Sequence, residues 1–197
     1  MFTSTPTRAL AALALLGSLS LTACDSGEPD DDGAGEEELI TQVTVSLTPT
    51  SGGAAQTIRL DYDEEGVLTG TTPSQATLTP GTTYTGSVEF RDTINDEDIT
   101  EEIEDEDDAH RIAYSLTPAS VGTVTVTDQD ENGYEVGLDF RLAVASSASG
   151  TARMRAALYH FDAEEGVVKT SSSATSDEID IEFEVPLAVT GAARASR

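Results

Sequence analysis

The sequence predicts an all-β fold: a single antiparallel β-sandwich, immunoglobulin-like or related, of about eight strands. Three observations carry this. Apolar residues recur with period two through most of residues 39–190, giving each segment one apolar and one polar face. Gly, Pro, Asn and Asp turns separate the segments. Helical spacing is confined to one short acidic stretch, so the alternating strands and helices of an α/β fold are not supplied.

The strands follow in order. Val43, Val45 and Leu47 alternate with Thr44 and Ser46, and Ile58, Leu60 and Tyr62 with Arg59 and Asp61. Tyr84, Val88 and Phe90 share one parity, with Gly86 among them. Ile112, Tyr114 and Leu116 come next, then Val124 and Val126. The longest stripe runs from Tyr134 through Val136, Leu138, Phe140 and Leu142 to Val144. Met154, Ala156 and Leu158 form another. Ile179, Ile181, Phe183, Val185 and Leu187 close the domain, opposite Asp180, Glu182 and Glu184. Pro186 donates no backbone hydrogen bond, which predicts an edge position or a bulge there. Membrane barrel strands alternate as well, but the charged turns fit a soluble sandwich better.

One segment departs from period two. Residues 96–108 contain ten acids, with Ile99 and Ile103 four apart. Asp98 and Glu101 have capping-box spacing, and His110 and Arg111 follow where positive charge suits a helix C-terminus. A short acidic helix or loop is expected.

The N-terminus reads as an export leader. Residues 1–23 hold one charge, Arg8, then the apolar run Ala9–Leu16 and small residues up to Cys24. That run is far shorter than the roughly 20 residues of a membrane-spanning helix. Leu21-Thr22-Ala23-Cys24 has the form of a lipoprotein processing box, in which Cys24 is lipidated and becomes the new N-terminus. Acyl chains contribute about 0.8 kcal/mol per buried CH₂, enough for two or three of them to hold a protein on a bilayer. Residues 24–38 are then the lipidated cysteine and an acidic flexible tether, with eight acids in residues 25–38. Residues 191–197 are expected to be a disordered tail.

The chain of 197 residues carries 37 acidic and 10 basic residues, a net charge of −27. Such a surface repels nucleic acid phosphates, so nucleic acid binding is excluded. It resembles proteins of salt-loving bacteria, in which charge repulsion is screened to about 3 Å at molar salt. With a single cysteine there is no intramolecular disulfide.

Candidate chemistry lies in turns. Asp128-Gln129-Asp130-Glu131-Asn132-Gly133 spaces its oxygens like the first half of a calcium loop. The Tyr134 carbonyl and the Glu135 and Asp139 carboxylates would complete the set. Asn132-Gly133 is equally a hairpin turn on its own. Asp61, Asp63 and Glu65 repeat the spacing more weakly, as does Phe161–Gly166. Ca²⁺ is therefore the one ion the loops suggest. His110 and His160 are the only histidines; His160 shares the parity of Met154 and Leu158 and should point to the core or its rim. The alternatives for this pair are buried neutral imidazoles or ligands acting with carboxylates. No G-x-S-x-G, H-E-x-x-H or phosphate-binding glycine loop is present, so no enzyme class is indicated.

Several segments together resemble a family of Bacteroidota-type lipoproteins built as lipobox, acidic tether and all-β domain. They are Glu37–Thr41, Thr82–Ser87, Ile99–Ile103, the acid run ending at His110, Asp128–Gly133 followed by Gly137-Leu138, and His160. In that family the turn near Asp61 is more calcium-like, with Asp or Asn where this chain has Glu65. The acidic run after Cys24 also resembles the export tag of such lipoproteins, which implies a lipid anchor in the outer membrane facing the cell surface, with the periplasmic face as the alternative; the resemblance brings no activity or ligand. The expected function is a noncatalytic binding or structural module of the cell envelope with calcium-stiffened loops, held to the membrane by acyl chains and meeting an envelope protein or small ligand. The alternative is a metal-dependent protein or small hydrolase using His110 and His160 with carboxylates.

Overall fold

The computed structural model describes residues 38–163 and 166–190, and every structural statement below concerns those residues. The leader, Cys24, the tether up to residue 37 and residues 191–197 lie outside them. Ten strands are present: β1 (Gln42–Pro49), β2 (Gln56–Tyr62), β3 (Leu68–Thr72), β4 (Ala76–Leu78), β5 (Thr83–Arg91), β6 (His110–Thr117), β7 (Gly122–Val126), β8 (Asp139–Val144), β9 (Gly150–His160) and β10 (Ile179–Val189). One α-helix, α1 (Ile99–Asp105), joins β5 to β6, and a short 3-10 helix (Ala119–Val121) joins β6 to β7.

The strands form two sheets, ordered β3-β2-β1-β5-β8-β7 and β4-β10-β9-β6. All pairings are antiparallel except β4 with β10. The fold is thus the all-β sandwich that the alternation predicts. Inward residues of both sheets meet in one core that includes Val45, Leu60, Phe90, Leu142, Met154, Leu158 and Val185. Phe90 and Phe183 pack edge to face across the sheets, their centroids 6.0 Å apart. Each such fully buried side chain contributes about 1.5–3 kcal/mol. None of the described helices is long and apolar enough to cross a membrane.

The additional strands β3 and β4 are short and carry little alternation. The long stripe from Tyr134 to Val144 is not one strand. Gly137, at φ +106°, turns the chain between the sheets: the Val136 carbonyl accepts from Ile112 N of β6, and the Leu138 carbonyl from Val88 N of β5. A side chain at 137 would press on Ile112, whose carbonyl oxygen lies 2.8 Å from the Cβ position. Pro186 sits where β9 alone flanks β10, because pairing with β4 begins at Leu187. Its missing N–H therefore breaks no ladder.

Helix α1 buries Ile99 and Ile103, and Thr100 Oγ1 ties it to β5 by accepting from Phe90 N and donating to Phe90 O. The capping box does not form: Asp98 makes no side-chain cap hydrogen bond and stands 3.6 Å from the Arg91 guanidinium. His110 and Arg111 open β6 rather than ending the helix.

Candidate metal centre

His110 and His160 are register partners on adjacent strands, the first residue of β6 opposite the last of β9. Both are buried, and their rings stack with centroids 4.7 Å apart. The third member is Asp180, supplied by β10. Strict alternation would place it on the outer face with Glu182 and Glu184. The β9–β10 register instead shifts between Ile179 and Ile181, so Asp180 is the extra residue of a bulge. The bulge reverses parity locally: Ile179 is 39% exposed, while the Asp180 side chain has no exposed surface.

Asp180 Oδ1 lies 3.6 Å from His160 Nδ1, and Oδ2 lies 3.9 Å from His110 Nε2. These are close charge contacts but too long for hydrogen bonds. Among the described residues, this trio is the one group of three His, Cys, Asp or Glu whose ligand atoms all lie within 4.8 Å of one another.

The proton on His110 can be assigned. Its Nδ1 stands 3.1 Å from the Glu106 carbonyl, which only accepts, so Nδ1 carries the hydrogen. Burial lowers the His110 pKa, favouring the neutral ring, against the opposing pull of the Glu106 carbonyl and Asp180. Nε2 is then a bare lone pair facing a carboxylate, two acceptors with nothing to share. His110 Nε2 and both Asp180 oxygens are buried without a hydrogen-bond partner. Each such group costs about 1–3 kcal/mol, more when charged. A cation seated between them removes that cost. The Asp180 carboxylate raises the His160 pKa, outweighing burial.

The donor set defines which cation fits. Two imidazole nitrogens and a carboxylate suit zinc and other divalent transition metals, whereas calcium takes oxygens. Tetrahedral bonds near 2.1 Å separate ligands by about 3.4 Å, so the observed spacings need only modest contraction. The Glu106 carbonyl on the far nitrogen of His110 is the outer contact that commonly orients a ligating histidine.

A cleft of about 560 Å³ runs beside Asp180, lined also by Glu38, Leu39, Glu64, Glu65 and Ile179. The Glu38 pKa is pushed up to about 8 by burial, by a hydrogen bond with the Glu102 carboxyl and by the charges of Glu102, Asp180 and Glu106.

The loop carboxylates are placed differently. Asp128 accepts from Gly137 N and Leu138 N. Asp130 Oδ1 accepts from Asn132 N and Tyr134 N, and its Oδ2 pairs with Lys169 Nζ at 2.8 Å. The Tyr134 carbonyl accepts from Asp130 N, Glu135 is half-buried at the isolated bridge to Gln129, and Asp139 is exposed on β8. The cation beside this turn is thus the Lys169 ammonium. In the other loop, Asp63 Oδ1 accepts from Glu65 N and Val67 N, Asp61 takes Gln42 and Arg59, and Glu65 is exposed. Neither set forms a three-ligand cluster, and the calcium reading rests on sequence spacing alone.

Asp180 and Glu38 were not among the residues that sequence reasoning selected. Asp180 is concealed by a bulge that leaves no mark in the alternation, and Glu38 by its place at the end of an acidic run. The lone lysine among so many acids was a visible signal for Lys169. Neither the protein-family models nor the curated proteins compared with this chain yield a match.

Proposed function

We propose that this protein is an envelope-anchored module that binds a divalent transition-metal ion through His110 Nε2, His160 Nδ1 and the Asp180 carboxylate. One observation carries the reading: His110 Nε2 and both Asp180 oxygens are buried without a hydrogen-bond partner, beside the ring of His160, and the three side chains bring their ligand atoms within 4.8 Å of one another. The anchor is the lipidated Cys24 of the processing box, and the acidic segment up to residue 38 is its leash. The role is binding rather than catalysis.

The test is calorimetric titration of the full chain, first stripped with chelator, against Zn²⁺ in the presence of excess Ca²⁺ and Mg²⁺. The excess occupies surface carboxylates, which are too numerous to ignore. One zinc ion per chain is expected to bind, and the isosteric Asp180→Asn variant is expected to lose that binding while keeping its β-sheet circular dichroism. Zinc binding that is absent under these conditions, or unchanged in Asp180→Asn, rejects the site. For the anchor, Cys24→Ser should move the protein from the membrane fraction to the soluble fraction.

A further inference from the structure

We propose that the bulge in β10 is a two-position register switch worked by the ion, and that it fastens or frees the connection between β9 and β10. The proposal rests on the metal reading above and names what a bound ion does to the fold.

Two of the ligands bound this connection: the chain leaves β9 at His160 and enters β10 at Ile179, beside Asp180. Residues 166–178 contain neither helix nor strand, and Lys169 alone among them is buried. Val167 and Val168 stay 37% and 55% exposed, so no apolar packing of their side chains holds this strap down. Polar latches hold it instead. Lys169 Nζ stands 2.8 Å from Asp130 Oδ2 and donates at 2.9 Å to the carbonyl of the third ligand, His110. The Arg111 guanidinium donates to the carbonyls of Ser172 and Ala174, each at 2.9 Å. At the foot of the strap, His160 N donates to the Glu178 carbonyl at 3.3 Å. A segment with so little buried apolar surface belongs to the part of a fold that opens locally.

The bulge supplies a second position. Ile179 is opposite Tyr159 and Ile181 opposite Leu158, with Asp180 the extra residue between them. Sliding the strand end by one residue would set Asp180 opposite Tyr159 and Ile179 opposite His160, exchanging their faces. Asp180 would then stand outside with Glu182 and Glu184, in the alternation that the sequence itself carries, and the exposed Ile179 would turn inward. The bulged position keeps a carboxylate buried without a hydrogen-bond partner, whereas the regular position returns it to water. An ion reverses this preference, because only the bulged position offers it Asp180, and a ligand shifts an equilibrium by its differential affinity for the two forms. The slide carries Glu178 about 3.3 Å along β9 and pulls on the nearby Arg111 latches. With the ion bound the strap is fastened, and without it the strap is loosened.

Lys169 is the single lysine of the chain, so lysyl endopeptidase can cut the full-length protein at one bond only, after Lys169. Its cutting rate reports how often the strap is open. In excess Ca²⁺ and Mg²⁺, chelator-stripped wild type is expected to be cut at least about fivefold faster than the same protein with one equivalent of Zn²⁺. The zinc-free rate should not depend on urea well below the unfolding transition. Asp180→Asn should show no zinc effect. Ile179→Ser, which gains nothing by turning inward, should be cut slowly even without zinc. If calorimetry shows zinc bound to wild type but cutting changes by less than about twofold, the strap is not coupled to the site, and the metal reading stands without it. A zinc-free rate that climbs with urea as steeply as global unfolding also overturns the proposal, and a full zinc effect in Ile179→Ser overturns the register switch. If wild type binds no zinc, the metal reading itself fails and this proposal fails with it.

Discussion

Lys169→Met should be among the most destabilising single changes in the domain. The Lys169 side chain is completely buried, as is that of its ion-pair partner Asp130, 2.8 Å away. Its Nζ also donates to the carbonyls of Asp107, at 2.5 Å, and His110, at 2.9 Å. Methionine fills the same channel without the charge, leaving the Asp130 carboxylate buried beside two carbonyls that have lost their donor. Breaking one side of a buried pair in this way costs about 3–5 kcal/mol. For a domain of this size each kcal/mol moves the melting temperature by roughly 2–4 °C, so a fall of about 6–20 °C is expected. Thermal denaturation followed by far-ultraviolet circular dichroism measures it.

The double variant Lys169→Met with Asp130→Asn sharpens that test, because the second change removes the stranded charge. It should lie closer to wild type than the two single effects added together, with a coupling of about 0.5–3 kcal/mol. A loss below about 1 kcal/mol in Lys169→Met, or strict additivity in the double variant, refutes the reasoning. The pair also has a pH signature. Burial opposes ionisation of Asp130, but Lys169 and the amides of Tyr134 and Asn132 outweigh it and hold its pKa below the ordinary carboxylate value. Its contribution is therefore full above the unfolded pKa, near 4, and is lost only as pH falls through the lower folded value.

Two further outcomes are expected. In chelator, the Glu38 pKa of about 8 against an ordinary value of 4.5 predicts stability that is greatest below pH 4.5 from this group and declines as pH rises toward 8; Glu38→Gln should flatten that slope in urea titrations, and an unchanged slope would show that Glu38 is not the group responsible. Gly137→Ala should lower the urea midpoint by the equivalent of about 1–3 kcal/mol, because φ +106° is strained for alanine and the new methyl would meet Ile112; a midpoint within error of wild type would mean that the crossing between sheets tolerates a relaxed backbone.

The alternating stripes were readable because burial on one face of a strand imposes period two, and Val43–Leu47, Ile58–Tyr62 and Met154–Leu158 have no competing demand. Where a second constraint intervened, the pattern misled. Tyr134–Val144 keeps its parity across Gly137 although the chain changes sheets there, since both halves still face the same core. β3 and β4 were silent: β3 has no buried residue, and β4 is three residues long and paired only with the end of β10. The histidines were visible as types but not as a pair, because the register that sets His110 against His160 depends on the fold of the 49 residues between them. Asp180 was legible least of all. A bulge is a property of pairing, and nothing in Ile179-Asp180-Ile181 distinguishes it from the regular alternation that follows.

That concealment bears on how such a chain could select an ion. With 37 carboxylates, any hard cation finds many weak oxygen sites on the surface, and high salt screens them all alike. Another carboxylate cluster adds little discrimination against that background. Nitrogen donors do, because imidazole favours transition metals over calcium and magnesium, and this chain has only two histidines. Both stand on the same rung of one strand pair, shielded from solvent, with the one bulge in β10 turning a carboxylate inward to meet them. The acidic surface can concentrate cations near the domain without choosing among them. If the buried trio holds an ion as proposed, the choice falls to it, and substitution of either histidine should cost selectivity for zinc over calcium far more than the loss of any surface acid.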